Sequence, residues 1–263
     1  MMIKFRIINQ VLKVQHFSME IEKHWKKFRY CENDSMDFQI EFIKKSTMNR
    51  DIEYASIQGC EHLMFSGNSL MCADQDYKNI YISGSDLNQA FETFSAYVFY
   101  THVVRKQTLW IHSATIERNG KGVLFLGPSG IGKTTQAELW KKYRGASIIN
   151  GDVGFVQRTK EGYLAWGTPW HGSSPYCINT SVPLKALVVL KQAPVNKLRE
   201  LYGFEKVAEV SGSIMYPNWM PDGRELCADT LNHLLSDLPV YRLDNRADLE
   251  AVELLEKELN YII

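Results

Sequence analysis

The eight residues Gly127-Pro128-Ser129-Gly130-Ile131-Gly132-Lys133-Thr134 match the pattern of a glycine, four residues, then Gly-Lys-Ser/Thr. No other feature constrains the fold as much, because the string needs a strand before it and a helix after it. Both are readable: Val123 to Leu126 is an apolar strand, and an amphipathic helix from about Lys133 to Tyr143 ends at Arg144-Gly145, where glycine suits a left-handed cap. The glycines let backbone amides turn inward around phosphate oxygens, and the helix presents unsatisfied N–H groups and the positive end of its dipole. Lys133 would reach the β- and γ-phosphates, and the Thr134 hydroxyl would ligate magnesium. The bland reading, a glycine-rich turn with an exposed lysine, leaves the coincidence of strand, loop and helix unexplained. The expected cofactors are therefore ATP and Mg2+.

Upstream, Leu109–Glu117 and Gly122–Leu126 read as a hairpin, with Asn119-Gly120 favouring a type I′ turn. Paired positions then sum to 239, which sets His112 opposite Gly127. There it could assist proton transfer, or be a half-buried strand histidine bonded to the backbone. Downstream, Ser147–Asn150 is a short strand that delivers Asp152, either as the carboxylate near magnesium or as a solvated turn residue. The segment Gly167-Thr168-Pro169-Trp170-His171-Gly172-Ser173-Ser174 is either a loop closing over the phosphates, with His171 in the site, or a packed surface loop anchored by Trp170.

Around this centre the texture changes along the chain. Residues 1–106 read as a β-rich N-terminal part, with strands such as Phe38–Phe42 and Asn79–Ile82 and a helix at about 86–105. That helix, capped by Ser85 or Asp86, carries Leu87, Phe91, Phe94 and Val98 on one face. Residues 107–263 read as the nucleotide-binding domain. In it, Lys185–Leu190 is a buried strand, a short helix follows Pro194, and Arg224–Ser236 is a helix. Val240–Leu243 is a strand, and Ala247–Leu259 is a terminal helix with Leu249, Val252, Leu255 and Leu259 on one side. Thirty basic residues balance thirty acidic ones, so no overall field invites nucleic acid or an anionic membrane. No apolar run approaches the roughly 20 residues that span a bilayer, and the N-terminus lacks a signal-peptide pattern. Five cysteines, an odd number without a Cys-x-x-Cys pair, fit reduced thiols in a cytoplasm better than a disulfide frame or a zinc site.

The string from Ile111-His112 through Gly127-Pro128-Ser129-Gly130-Ile131-Gly132-Lys133-Thr134-Thr135 to Ile149-Asn150-Gly151-Asp152 resembles the catalytic domain of HPr kinase/phosphorylase. It is also similar to stand-alone kinases that phosphorylate ribosomally made peptides of the lasso-peptide kind. The resemblance covers roughly Leu109 to Leu190. It implies an α/β fold with a mixed-sheet P-loop core of HPr kinase/carboxykinase type, with Gly127 to Thr135 on the nucleotide and Thr134 and Asp152 at the metal. Two departures stand out. The family usually has two consecutive aspartates after the strand, and Gly151 occupies the first place, so that Asp152, His112 or His171 would have to act as base. The family's glutamate-containing loop also lacks a counterpart.

These features predict an ATP- and magnesium-dependent kinase acting on a hydroxyl, by resemblance a serine, of a peptide or small protein. The rival expectations are an ATP-binding regulatory or assembly module and an ATP hydrolase. Related kinases form homo-oligomers, but no surface stripe in this sequence marks an interface.

Overall fold

The computed structural model describes residues 2–15, 22–43 and 59–259. The chain is mixed α/β and divides into two compact units, Met1–His102 and Val103–Ile263.

In the first unit, six strands form a mixed sheet: β1 (Met2–Ile7), β2 (Gln10–Gln15), β3 (Phe38–Phe42), β4 (His62–Ser66), β5 (Ser69–Ala73) and β6 (Asn79–Ser83). Their order is β1-β2-β3-β6-β5-β4, parallel where β3 meets β2 and β6, and antiparallel elsewhere. The helix Leu87–Val104 starts where Asp86 Oδ1 accepts the Gln89 N–H at 3.0 Å, an N-cap bond. It buries Phe91, Phe94 and Val98, and the Phe91 ring packs 4.8 Å from Trp25 and 5.8 Å from Phe42. A smaller cluster forms from Leu70 and Cys72 with Ile43, Cys60 and Tyr81 against them. Here the expectation of reduced thiols fails for one pair: Cys60 and Cys72 form a disulfide, while Cys31, Cys177 and Cys227 are free. Cys60 lies two residues before β4 and its Cα is 5.8 Å from that of Cys72 in β5, whose own cross-strand partner is Leu63, so the pairing depends on how the chain enters the hairpin, which cysteine spacing does not encode.

The second unit holds eight strands: β7 (Thr108–Arg118), β8 (Lys121–Leu126), β9 (Ser147–Asn150), β10 (Val153–Thr159), β11 (Gly162–Trp166), β12 (Ser181–Gln192), β13 (Lys197–Leu201) and β14 (Val240–Asn245). The order is β11-β10-β7-β8-β12-β14-β13, with β9 also on β7. Two long strands change partners along their length. The first half of β7 pairs with β10 and the second with β8 and β9, while β12 pairs with β11 through Ser181–Pro183 before joining β8 and β14. Strands β7, β10, β11, β12 and β8 thus close a ring of pairings. Helix Lys133–Arg144 lies over this sheet, burying Ala137 and Trp140 among Ala114, Ile116, Val123 and Phe125.

The β7–β8 hairpin turns through Asn119 (φ 52°) and Gly120 (φ 75°), both left-handed, and its pairs run from Arg118↔Lys121 to Ser113↔Leu126. After Pro194 the expected helix is absent. Alternating Lys197–Leu201 forms the edge strand β13, antiparallel to β14, and the next helix is Phe204–Val210. The terminal helix begins at Leu249, because Ala247 is left-handed (φ 56°) and Asp248 Oδ1 caps it by accepting the Ala251 N–H at 3.1 Å. Leu249 is exposed, and Ala251 joins Val252, Leu255 and Leu259 on the buried side. No helix among the described residues is long and apolar enough to cross a membrane.

Candidate functional site

The loop from Gly127 to Gly132 joins the end of β8 to helix Lys133–Arg144, and three of its glycines have positive φ: Gly127 (134°), Gly130 (78°) and Gly132 (108°). Gly130 and Gly132 face open space, whereas a side chain at Gly127 would press on Ile131 Cγ2 at 3.1 Å and the Leu190 carbonyl at 3.3 Å. Gly132 is the residue before the helix and offers no side-chain cap, so the first-turn amides are left for another acceptor. Pro128, Ser129 and Gly130 are exposed, Ile131 is partly buried, and Thr135 is exposed.

Lys133 is buried, and its ammonium donates to the carbonyls of Gly127 (3.0 Å) and Pro128 (3.1 Å) and to His112 Nε2 (2.7 Å). Since the ammonium has no acceptor capacity, Nε2 is the acceptor and the imidazole proton sits on Nδ1, which faces Asp152 Oδ1 at 3.3 Å. The result is a chain from Lys133 through His112 to Asp152. Burial lowers the His112 pKa from its ordinary 6.5, the Lys133 charge lowers it further, and Asp152 only partly opposes them. Burial likewise lowers the Lys133 pKa, with Asp152 opposing. His112 stands one step beyond the last β7–β8 pair, with Val153 of β10 as its cross-strand partner, and Ser113 N–H donates to the Asp152 carbonyl at 3.0 Å. The hairpin carries the imidazole to the mouth of the loop, and β10 carries the carboxylate to the imidazole.

Thr134 donates to the Gly151 carbonyl at 3.0 Å, which ties the helix start to the turn bearing Asp152. That turn is organised by Asn150, wholly buried. Its Oδ1 accepts the N–H groups of Asp152 (2.9 Å) and Val153 (2.8 Å), and its Nδ2 donates to the carbonyls of Thr168 (3.3 Å) and Trp170 (2.8 Å). One carboxamide thereby fixes both the Asp152 turn and the loop that follows β11.

The same loop is held by two close approaches. A Cβ at Gly151 would lie 2.6 Å from Ser174 Cβ and closer still to its hydroxyl, and a Cβ at Gly172 (φ 55°) would lie 2.8 Å from Asp152 Cγ. The position next to Asp152 is therefore filled by Ser174, and one side of the Asp152 carboxylate lies against Gly172 while the side chain stays partly exposed. Trp170 is buried with its ring 5.9 Å from Phe155, and His171 Nδ1 donates to the Ser174 carbonyl of its own loop.

Of the residues singled out from sequence, the structure hydrogen-bonds Lys133 to His112, sets Asp152 Oδ1 3.3 Å from the same imidazole, and joins Thr134 to the turn beside it. His171 is tied into the loop after β11, one residue from the glycine that touches Asp152. The roles of Asn150 and Ser174 have no signal in the sequence: a buried amide leaves no local signature, and the Ser174–Gly151 contact joins residues 23 apart. No group of three or more His, Cys, Asp or Glu residues among those described is placed to hold a metal ion by itself.

No curated protein matches the sequence. Among solved structures, the chain is similar to the Hpr(Ser) kinase/phosphatase from Coxiella burnetii, at 12% identity and a TM-score of 0.36 over 58% of this chain and 97% of that one. A family match spans residues 86–244, which include the Gly127–Gly132 loop, His112, Asp152 and the loop after β11. With more than half of its length matched, the chain belongs to the family described as SynChlorMet cassette protein ScmC.

Proposed function

We propose that this protein is an ATP- and magnesium-dependent phosphotransferase that moves the γ-phosphate to a hydroxyl, a serine by motif resemblance, of a peptide or small protein. The observation that carries this reading is the Lys133–His112–Asp152 chain set at the mouth of a glycine loop. The backbone amides of Gly130, Gly132 and Lys133 at the helix start cradle the phosphates, and the Lys133 ammonium follows the transferring phosphoryl group. The site suits magnesium in its donor set: the Thr134 hydroxyl and the Asp152 carboxylate are hard oxygen donors, and this ion takes few protein ligands beside water and phosphate. When bound, it neutralises charge on the phosphates. Asp152 accepts the proton of the acceptor hydroxyl as the acceptor oxygen–phosphorus bond forms and the bond to the β-phosphate oxygen breaks. His112, neutral at pH 7 with its proton on Nδ1, orients that carboxylate and couples it to Lys133.

The test is incubation with γ-labelled ATP and peptides encoded near the gene. The expected outcome is a labelled peptide with the wild type and none with Asp152→Asn, which still binds nucleotide. Nucleotide binding without any labelled product would overturn the reading. A second reading, an ATP hydrolase or nucleotide sensor, is favoured by one observation: Ser174 fills the place beside Asp152 where the resembling kinases carry a second carboxylate. It predicts labelled inorganic phosphate, or no turnover, with every peptide tried.

A further inference from the structure

At the end of the hairpin remote from the phosphate loop, the change of partner in β12 opens a hole. Residues Ser181–Pro183 leave the β8 side to pair with β11, and the gap between them and the Glu117–Gly120 turn is a cavity of about 400 Å3. That size falls within the roughly 300–1,000 Å3 of small-ligand sites. Ile149 and Val182 are its buried apolar wall, Ile178 lies at the rim, and Ser147, Thr180 and Ser181 bring hydroxyls. Glu117 supplies the only charge among the lining residues. One carboxylate oxygen accepts the Gly120 N–H at 2.7 Å, and no basic side chain among the described residues forms an ion pair with it. The neighbouring Arg118 is bound to Glu256 instead.

We propose that this cavity binds a basic side chain on an aliphatic stem, a lysine or arginine of a peptide partner. A half-buried carboxylate without a counter-ion disfavours an anion and rewards a cation. The hydroxyls accept the remaining N–H groups of an ammonium or guanidinium, and Ile149, Ile178 and Val182 cover the methylene stem. A purely apolar side chain would leave Glu117 desolvated and unpaired, so charge rather than shape selects the occupant. The placement also has a consequence that rests on the phosphotransfer reading. Glu117 is paired with Gly122, five residues before Gly127, which is about 17 Å along β8. An extended peptide covers that span in about five residues, so a good acceptor carries a basic residue about five positions from its phosphorylated hydroxyl.

The full-length protein, labelled at isoleucine methyls, is titrated with Nα-acetyl-lysine methylamide and, separately, with its norleucine counterpart. The lysine probe is expected to shift the Ile149 and Ile178 methyls saturably, and Glu117→Gln, which can still accept the Gly120 N–H, to weaken it about five-fold. Equal shifts from norleucine, no saturable shift at these methyls, or unchanged affinity in Glu117→Gln would overturn the site. This titration needs no nucleotide, so its failure is separable from failure of the phosphotransfer reading. In the kinase assay, a serine peptide with lysine five positions away is expected to show a lower KM than its alanine counterpart, at unchanged kcat. Equal KM values would overturn the acceptor assignment.

Discussion

Gly151 is the position at which this chain departs from the kinases it resembles, and its environment makes a quantitative prediction. An added Cβ would stand 2.6 Å from Ser174 Cβ, where carbon atoms normally stay about 3.5–4.0 Å apart, so one side must move by about 1 Å. Ser174 cannot swing away at little cost. It is buried, its N–H donates to the His171 carbonyl at 3.1 Å, and its hydroxyl accepts the Tyr176 N–H at 3.3 Å. Gly151→Ala should therefore cost about 2–3 kcal/mol, the range for overpacking a rigid site. Ser174→Gly removes the obstructing atoms and should itself cost about 1–2 kcal/mol through the lost hydrogen bond and added chain entropy. In that background the next atom met by the alanine is Tyr176 Cβ at 3.6 Å, an ordinary contact, so Gly151→Ala should become nearly neutral. Urea denaturation followed by tryptophan fluorescence across the four proteins would give the coupling, expected at about 2 kcal/mol. A coupling below about 0.5 kcal/mol would show that Ser174 is not what keeps residue 151 a glycine.

The imidazole of His112, followed by NMR, should titrate below its ordinary 6.5, and Lys133→Ala should raise the midpoint by removing the neighbouring charge; a midpoint at or above 6.5 in the wild type contradicts the assignment of Nε2 as acceptor. Asn150→Asp keeps the shape but replaces two donated hydrogen bonds with a buried carboxylate facing the Thr168 and Trp170 carbonyls, at a cost of about 2 kcal/mol or more. Limited proteolysis should then cut within 168–176, and an unchanged cleavage pattern would argue against Asn150 as the fastening of that loop. Glu256 bonds Arg118 and Arg144 at 2.7 Å each, and Glu256→Gln should cost about 2–3 kcal/mol. Burial favours its neutral acid, but the Arg144 and Arg118 hydrogen bonds prevail and hold its pKa below 4.5. Its contribution is thus present above pH 4.5 and lost as the pH falls through the lower folded value. A wild-type stability profile no steeper in that window than that of Glu256→Gln would refute this.

The parts of the site legible in the sequence are those written in contiguous residues. The glycine loop is one contiguous string between a strand and a helix, and Asn119-Gly120 sets a hairpin register that holds from Arg118 to Ser113. Local signals also sufficed for helix Lys133–Arg144, stopped by left-handed Gly145, and for the buried run of β12. They misled after Pro194, where antiparallel pairing with β14 turned a presumed helix into β13. By itself, then, the sequence determined a strand–loop–helix unit with a lysine and a hydroxyl at its turn, because short-range periodicity and glycine conformations decide such units. Only the tertiary structure decided that His112 bonds Lys133 and faces Asp152, that Asn150 fastens the loop after β11, that Ser174 fills the space beside Gly151, and that Cys60 finds Cys72. Each of these joins residues from different elements, and their meeting depends on strand order and register, which no local pattern contains.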